Sequence, residues 1–536
     1  MPEFKRYLVN IDSNSTHQLF TDCLVIGAGI AGLRAAIEAA ECCNVIIVCK
    51  DTLENSNTWK AQGGIASVLN KTDTFESHIS DTMKTGCGLS DEGVVDFVVR
   101  QGPELIEQLL RWGTEFDQID GRIATTLEGG HSHQRVAHAH GDETGRGIAE
   151  ALIRKVCEKP NIKIIEHFYT VDLLTNDDNE CVGVIGHDKQ RPSGADQIVW
   201  AANTILATGG AGQLYRETTN PEVATGDGIA MAYRAGAIFQ DLEFVQFHPT
   251  TLYIAGASRA LITETLRGEG AVLLDSEGRR FMKAYHESAE LAPRDIVSRA
   301  ILAQMLETNT THVYLDVRHF DKEHFSKRFP QIFELCEGFD IDISRDLIPV
   351  RPSAHYMVGG VKTDISGRTS LRNLYACGEI ASTGLHGANR LGSNSLLEGL
   401  VFGKTTGQLA CQHKETGVVH IKHPLIKYQI PPSNRTRLDA ADVTNSLRAL
   451  MWRNVGITRT TQPLSEAQEI IVFWQRYVMD KIFDTPQGWE CQNMLTVCLL
   501  IARSAQMRQE SRGVHFRSDF PNIDDEHFKK HIEITR

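Results

Sequence analysis

The chain has 536 residues, of which 41% are hydrophobic and 23% are charged, enough for a large core and more than one domain. Its net charge of −13 disfavours a nucleic acid as a partner, because binding a polyanion needs a basic surface. Purely apolar stretches such as Val45–Cys49 and Cys498–Ala502 are far shorter than the roughly 20 residues of a membrane span. The polar segment Met1–Thr21 lacks the apolar core of a secretory signal, so we expect a cytoplasmic protein.

Twelve cysteines are scattered along the chain, and Cys42-Cys43 is their only close pair. The absence of a CxxC motif disfavours a zinc or iron–sulfur site, and the scatter disfavours a disulfide framework. We therefore expect reduced thiols that mostly fill the core.

The first elements follow the order of a dinucleotide-binding βαβ unit. Asp22–Ile26 reads as a strand, Gly27–Gly32 as a GxGxxG turn, Leu33–Cys42 as a helix and Asn44–Cys49 as a second strand. A phosphate would lie at the helix N-terminus, where free N–H groups and the helix dipole favour an anion.

The glycines of this turn have separate predicted roles. Gly27 allows the tight turn, Gly29 lets a pyrophosphate approach the backbone, and Gly32 lets the helix pack on the strand. The acidic residue that usually ends the second strand and binds the ribose is missing. Cys49-Lys50 stands there, so the ribose is held in another way or Lys50 meets a phosphate or ribose.

Two later strands run into glycine turns, at Thr204–Ala207 and Asn373–Ala376. Their separation predicts one cofactor domain that is interrupted by an insertion near residues 245–357. Helical periodicity then follows the Pro431-Pro432 linker, over Asp439–Trp452, Ser465–Met479 and Glu490–Met507. We therefore predict an α/β protein with a Rossmann-like domain (1–244 and 358–426), an inserted α+β capping domain (245–357) and a C-terminal helical domain (427–536).

Several glycine- or proline-punctuated loops carry polar side chains. They are Asn57–Ile65, Glu128–His133, Gln246–Thr250, Thr263–Gly270, Pro293–Asp295, His355–Gly360 and His386–Ser395. His131 and His133 lack further nearby ligands, so no metal site is predicted. The arginines and histidines of the set suit a small dianionic substrate, because a bidentate arginine is the best partner for a carboxylate.

These stretches, with the late segment Met507–His515, resemble the succinate dehydrogenase and fumarate reductase flavoprotein family over about residues 22–525. Respiratory members have a histidine, bonded covalently to FAD, where this chain has Asn57, and a phenylalanine where it has Glu128. At both positions the chain resembles the branch of the family that oxidises L-aspartate. A carboxylate there would repel succinate and pair with the ammonium of aspartate. The resemblance implies one noncovalent FAD per chain.

The resemblance also implies the roles of individual residues. FAD would be bound by Gly27, Ala28, Gly29, Ile30, Ala31, Gly32, Lys50, Asn57, Thr58, Trp59, Lys60, Ala61, Gln62, Gly63, Gly64, Asp227, Glu379, Ser395 and Leu396. The substrate would be bound by Glu128, Gln246, His248, Thr263, His355 and Arg390. Arg294 would transfer the proton, relayed through Arg267 and Glu264, whose i, i+3 spacing puts them on one face of a helical turn.

The implied reaction is oxidation of L-aspartate to iminoaspartate. The electrons would pass to oxygen, giving hydrogen peroxide, or to fumarate, giving succinate. The product would feed quinolinate synthase on the route to NAD. Two alternatives stay open: a soluble fumarate reductase or succinate dehydrogenase subunit, and a flavin-binding sensor or scaffold without turnover.

Overall fold

The computed structural model describes residues 5–190, 196–257, 259–415, 424–431 and 438–536. The first part of the chain builds most of the cofactor domain. Its elements are β1 (Ile11–Asp12), β2 (His17–Ile26), α1 (Ile30–Ala39), β3 (Val45–Val48), β4 (Ile65–Ala66), α2 (Phe75–Thr85), α3 (Glu92–Arg111), β5 (Gln118–Ile119), β6 (Arg122–Ile123), β7 (Thr125–Thr126), β8 (Val136–Ala137), α4 (Thr144–Cys157), β9 (Ile162–Ile165), β10 (Phe168–Thr175), β11 (Cys181–Asp188), β12 (Asp196–Leu206), α5 (Asp227–Ala235) and β13 (Phe239–Gln240).

A mixed sheet forms the centre of this domain, in the order β10-β11-β12-β2-β3-β9. Strands β12, β2, β3 and β9 are parallel, and Ile26 lies between Leu206 and Val48. All four residues of β3 are buried, as expected for a parallel strand that is covered on both faces. The parallel strands therefore end at one edge, where a ligand is expected.

The inserted segment has its own antiparallel sheet, in the order β14-β17-β16-β15, and its own apolar core. Its elements are β14 (Val245–Leu252), α6 (Thr265–Gly268), β15 (Val272–Leu274), α7 (Arg294–Glu307), β16 (Val313–Asp316), α8 (Lys322–Arg328), α9 (Pro330–Glu337) and β17 (Ile348–Met357). Pro293 is the N-cap of α7, so this helix begins at Arg294.

The chain then returns to the cofactor domain with β18 (Gly360–Lys362), β19 (Leu374–Ala376), β20 (Ala381–Ser382), α10 (Asn394–Glu415) and β21 (Lys427–Tyr428). Strand β19 joins the first sheet beside β12, with Leu206 opposite Ala376. Helix α10 packs along α1, and glycines allow the close approach: a Cβ on Gly403 would lie 2.6 Å from the Ala31 carbonyl oxygen. The insertion thus separates two halves of one domain.

Helices dominate the last part of the described chain. Its elements are α11 (Ala440–Asn454), β22 (Thr458–Arg459), α12 (Thr461–Val478), α13 (Pro486–Met507), β23 (Phe516–Arg517), α14 (Asp525–Phe528) and β24 (Glu533–Ile534). Helix α13 is buried on nearly all sides and joins the core around β10 and α5. Pro431 precedes this part, while Pro432 lies outside the described residues.

One disulfide corrects the expectation of reduced thiols. Cys42 and Cys411 are 369 residues apart in sequence, and their sulfurs are bonded. They meet because α1 and α10 lie side by side, a contact that cysteine spacing alone does not reveal. Cys43 remains a free, buried thiol.

The predicted fold class is confirmed: a Rossmann-like domain interrupted by an α+β insertion and followed by a helical domain. The residue limits that we assigned to the domains remain predictions. None of the helices in the described ranges is long and apolar enough to cross a membrane.

Candidate active site

A long cavity lies where β2, β3, β12 and β19 end. Its wall includes most of the residues predicted to bind FAD: Gly27, Ala28, Gly29, Ile30, Ala31, Lys50, Asn57, Thr58, Lys60, Ala61, Asp227, Glu379, Ser395 and Leu396. The predicted residues Gly32, Trp59, Gln62, Gly63 and Gly64 lie off this wall. His355 and Arg390 also line the cavity, so the nucleotide region adjoins the predicted substrate region.

The glycine turn leaves room for a ligand at one position only. A Cβ on Gly27 would lie 2.2 Å from the Ala207 carbonyl oxygen. A Cβ on Gly32 would lie 2.1 Å from the Gly27 carbonyl oxygen. A Cβ on Gly29 would meet only the Thr58 hydroxyl, at 3.4 Å. Gly29 is the N-cap residue of α1 and makes no side-chain hydrogen bond to the helix. The Thr58 hydroxyl accepts a hydrogen bond from the Ile30 N–H at 2.9 Å. The backbone therefore fits a pyrophosphate at the start of α1.

Trp59, Gln62, Gly63 and Gly64 belong to the loop after β3 but do not line the cavity. A Cβ on Gly64 would lie 2.3 Å from the Ala137 carbonyl oxygen, whereas Gly63 meets only the Ser393 hydroxyl, at 4.0 Å. Trp59 packs against the Arg146 guanidinium. The buried Gln62 side-chain oxygen has no hydrogen-bond partner in the described structure.

Lys50 occupies the place of the missing ribose-binding acid, and acidic partners reach it from elsewhere. Its ammonium lies 2.8 Å from an Asp227 oxygen and 2.7 Å from a Glu490 oxygen. The other Asp227 oxygen accepts from the Tyr169 hydroxyl and the Asn493 amide, both at 2.7 Å. Helix α13 of the C-terminal region thus brings Glu490 to Lys50 and Asn493 to Asp227, two contacts with no local sequence signal.

Asn57 lies on the cavity wall beside Glu379. Its amide donates to a Glu379 oxygen at 3.1 Å, and the Met357 N–H donates to the other at 2.9 Å. Burial raises the pKa of Glu379 to about 7. An amide at this position has no nucleophilic atom comparable to an imidazole nitrogen.

Beyond the cavity, Arg294, Glu264 and Arg267 are in direct contact. Arg294 Nε donates to Glu264 Oε2 at 2.6 Å, and Arg267 Nη2 lies 3.2 Å from Glu264 Oε1. Burial opposes ionisation of Glu264, yet both guanidinium groups hold its pKa below the usual value. The three residues predicted to transfer and relay the proton therefore form a continuous chain of charges.

Glu128 lies beside the Arg294–Glu264–Arg267 charge series and is 2% exposed. The Thr265 hydroxyl donates to its Oε1 and the Ser393 hydroxyl to its Oε2, each at 2.9 Å. Burial and the nearby Glu264 carboxylate raise the pKa of Glu128. A ligand cation would relieve this cost, because it would pair with a carboxylate already removed from water.

Gln246 links the two arginines of the site. Its oxygen accepts from Arg294 Nη1 at 3.3 Å and from Arg390 Nε and Nη2 at 3.2 and 3.0 Å. Its amide donates to the Asn389 oxygen and the Arg390 carbonyl. Both polar atoms of the Gln246 side chain are thus hydrogen-bonded to protein groups, and its predicted role in binding the substrate remains a prediction.

His248 and His355 are neighbours, with ring centroids 5.2 Å apart and ring planes at 63° in an edge-on arrangement. His248 Nδ1 contacts the Thr250 carbonyl at 3.1 Å, and His355 Nδ1 contacts the Thr219 hydroxyl at 2.8 Å. Burial, with nearby arginines, holds the pKa of each ring well below its usual value, so both are neutral. These contacts use Nδ1 and leave Nε2 for a ligand.

Thr263 completes the predicted substrate set and is also buried, its hydroxyl 3.2 Å from that of Thr265. Sequence reasoning missed Thr265, Ser393 and Tyr356, which contact predicted site residues. His131 instead contacts the Gly392 carbonyl at 3.0 Å. Within the described ranges, no group of three His, Cys, Asp or Glu side chains could hold a metal ion.

The fold and the cavity together define an FAD-binding flavoprotein, and the cavity wall carries the arginine and histidine side chains of Arg390 and His355. The sequence matches the FAD binding domain family over residues 22–396 and the fumarate reductase flavoprotein C-terminal family over residues 444–536. A solved E. coli quinol fumarate reductase chain superposes with a TM-score of 0.90 and 32% identity, over 97% of this chain and 95% of that one.

Curated relatives narrow the assignment. An L-aspartate oxidase of Streptomyces coelicolor is 40% identical over 96% of this chain and 91% of its own length. Another from Nostoc is 42% identical over 94% of this chain and 91% of its own length. The chain belongs to the L-aspartate oxidases, a branch of the fumarate reductase flavoprotein family. The predictions of family and of FAD as cofactor are confirmed.

Proposed function

We propose that this chain oxidises L-aspartate to iminoaspartate with noncovalent FAD, and that oxygen or fumarate takes up the electrons. The observation that carries the proposal is the buried Glu128 carboxylate beside a cluster of cationic and imidazole side chains. Aspartate differs from succinate by one ammonium group, so a carboxylate in a dicarboxylate site selects for it.

Arg390 is the principal carboxylate ligand in this proposal. In the described part of the chain, its guanidinium is buried and donates to the Gln246 and Ser395 side-chain oxygens, without a carboxylate at ion-pair distance. A buried cation with neutral partners is unfavourable until an anion arrives. His248, His355 and Thr263 supply polar contacts to the substrate carboxylates.

Glu128 would accept hydrogen bonds from the substrate ammonium. The hydroxyls of Thr265 and Ser393 each take one lone pair of its oxygens, which fixes the carboxylate and leaves other lone pairs free. Because both carboxylate oxygens are held from the protein side, the ammonium has one defined direction of approach. This orients the α-carbon, and orientation is a major source of rate enhancement.

Arg294 would transfer the proton, and Glu264 and Arg267 would relay it. The Arg294–Glu264 and Glu264–Arg267 contacts of 2.6 and 3.2 Å give a path of direct neighbours. When bound, FAD supplies the redox chemistry by accepting a hydride from the substrate α-carbon. The chain's own part is to hold the substrate, bind its ammonium and move the proton.

The proposal also covers the products of the reaction, the enzyme that would use them and the location of the protein. Oxygen would yield hydrogen peroxide and fumarate would yield succinate. The iminoaspartate would pass to quinolinate synthase as the first step of NAD synthesis. A cytoplasmic location belongs to the same proposal.

The test is a comparison of substrates for the FAD-loaded protein. We expect hydrogen peroxide formation with L-aspartate and far less with succinate, L-glutamate or L-asparagine. With oxygen removed, aspartate should reduce fumarate to succinate. Oxidation of succinate in preference to aspartate would contradict the proposal.

A soluble fumarate reductase is the second candidate, favoured by the close structural similarity to quinol fumarate reductase. It requires succinate and fumarate turnover without aspartate oxidation, so the same assay separates the two. A flavin-binding protein without turnover would be inactive with every substrate.

A further inference from the structure

The guanidinium of Arg390 lies on the face of an aromatic ring that the proposed reaction does not use. Its Cζ is 4.3 Å from the ring centroid of Tyr356. Both side chains are buried, at 4% and 8% exposure. A cation over a ring face is attracted by the ring quadrupole, most strongly when water is excluded.

The ring itself is fixed from behind. The Tyr356 hydroxyl donates to Glu398 Oε2 at 2.9 Å, and the same oxygen is 3.0 Å from His386 Nε2. The Thr383 hydroxyl donates to Glu398 Oε1 at 2.6 Å. Tyr356 follows His355 on β17, whereas Glu398 is on α10, so the contact joins the inserted segment to the cofactor domain.

Glu398 is fully buried, yet it belongs to neither the charge relay nor the predicted ligands. Burial opposes its ionisation, but His386 and the hydrogen bonds from Thr383 and Tyr356 hold its pKa below the usual value. One turn before it on α10, the Ser395 hydroxyl accepts from Arg390 Nη1 at 2.7 Å. The start of α10 therefore holds Arg390 twice, once directly and once through Tyr356.

An aromatic face suits a residue that must bind an anion. A protein carboxylate beside Arg390 would compete with the substrate, whereas a ring stabilises the cation without neutralising it. The flat contact also fixes the plane of the guanidinium, which sets the direction of a bidentate pair with a carboxylate.

We propose that Tyr356, anchored through Glu398, is a positioning residue that holds the Arg390 guanidinium in the orientation for binding a substrate carboxylate. This inference rests on the proposed role of Arg390 as a carboxylate ligand. It concerns affinity for dicarboxylates in general and not the choice between aspartate and succinate.

The experiment measures succinate binding to the FAD-loaded protein, from the change that succinate causes in the flavin absorbance spectrum. Tyr356→Leu removes the ring, and we expect its dissociation constant to rise at least about tenfold. Tyr356→Phe keeps the ring but loses the hydroxyl that Glu398 anchors, so its dissociation constant should rise at least about threefold and less than that of the leucine variant. Tyr253→Leu is the matched control, because that ring also contacts arginines, Arg259 and Arg351, but lies outside the cavity wall.

Arg390→Leu distinguishes a failure of the proposed Arg390 role from a failure of the inference about Tyr356. If it leaves succinate binding unchanged, the proposed role of Arg390 is wrong. If it abolishes binding while Tyr356→Leu binds like the parent, only the present inference is overturned. Should Tyr356→Leu fail to retain FAD, Glu398→Gln decides: a succinate dissociation constant raised at least about threefold supports the inference, and an unchanged one overturns it.

Discussion

Arg294 donates from Nε to Glu264 Oε2 at 2.6 Å, and this pair joins the first residue of α7 to the residue that precedes α6. Both belong to the inserted segment. The residue proposed to transfer the proton and its proposed relay therefore lie in one structural unit, while the nucleotide cavity is built mostly by another. Arg294, Glu264 and Arg267 lie off the cavity wall, so their substitution should affect turnover and leave cofactor binding intact.

Arg294→Leu is expected to lower turnover by at least about a hundredfold, because no other described side chain takes its place between Glu264 and Gln246. FAD should stay bound with unchanged affinity. Arg294→Lys should also be poor, since a point charge cannot reach both partners as a planar guanidinium does. Steady-state rates and flavin fluorescence titration check this, and near-normal fumarate reduction by the leucine variant would rule out the assignment.

Glu128→Gln should lower kcat/KM for aspartate at least about tenfold and leave fumarate reduction with an artificial donor nearly intact. Burial and Glu264 raise the pKa of Glu128. Because the ionised form binds the ammonium, kcat/KM for aspartate should fall as pH drops through this raised pKa. The glutamine variant should lack that acid limb. Equal losses of aspartate oxidation and fumarate reduction would show that Glu128 does not discriminate.

FAD should be released by acid or heat, because Asn57 offers no nucleophile and its amide is engaged with Glu379. The measurement is the flavin spectrum of the supernatant after precipitation. A respiratory fumarate reductase with covalent flavin, treated in parallel, is the control. Yellow colour that remains in the pellet of this protein would contradict the prediction.

Gly32→Ala should weaken FAD binding at least about tenfold and lower the melting temperature, since overpacking against backbone commonly costs 1–3 kcal/mol. The added Cβ would lie 2.1 Å from the Gly27 carbonyl oxygen. Gly338→Ala in the inserted segment is the control, because its nearest new contact would be an ordinary 3.4 Å. If the Gly32→Ala variant binds FAD like the parent, the backbone of the turn can move to accept the added Cβ and the prediction is wrong.

Local patterns predicted the elements that carry the chemistry. The GxGxxG turn and the Glu264–Arg267 spacing each depend on neighbours in sequence, and both are present. The limits of the elements were less accurate. Helix α1 begins at Ile30 and not at Leu33, because its N-cap is Gly29 within the turn itself.

Contacts between distant segments could not be predicted. Glu490 reaches Lys50 across 440 residues, and Glu398 reaches Tyr356 across 42, because packing of α13 and α10 brings them there. The Cys42–Cys411 bond has the same origin. Glu128 was recognised from a family resemblance, but its hydroxyl partners Thr265 and Ser393 carry no motif of their own.

The division of the cofactor domain by the insertion fixes an order of events during synthesis. Strand β12 and the glycine turn leave the ribosome before the inserted segment, whereas β19, Glu379 and the start of α10 follow it. Since domains form from the N-terminus as the chain emerges, the part of the cofactor domain that precedes the insertion is made without β19 and α10, which complete its cavity. The cavity wall includes residues up to Gly399 in α10, so it is complete only after the whole inserted segment has been synthesised.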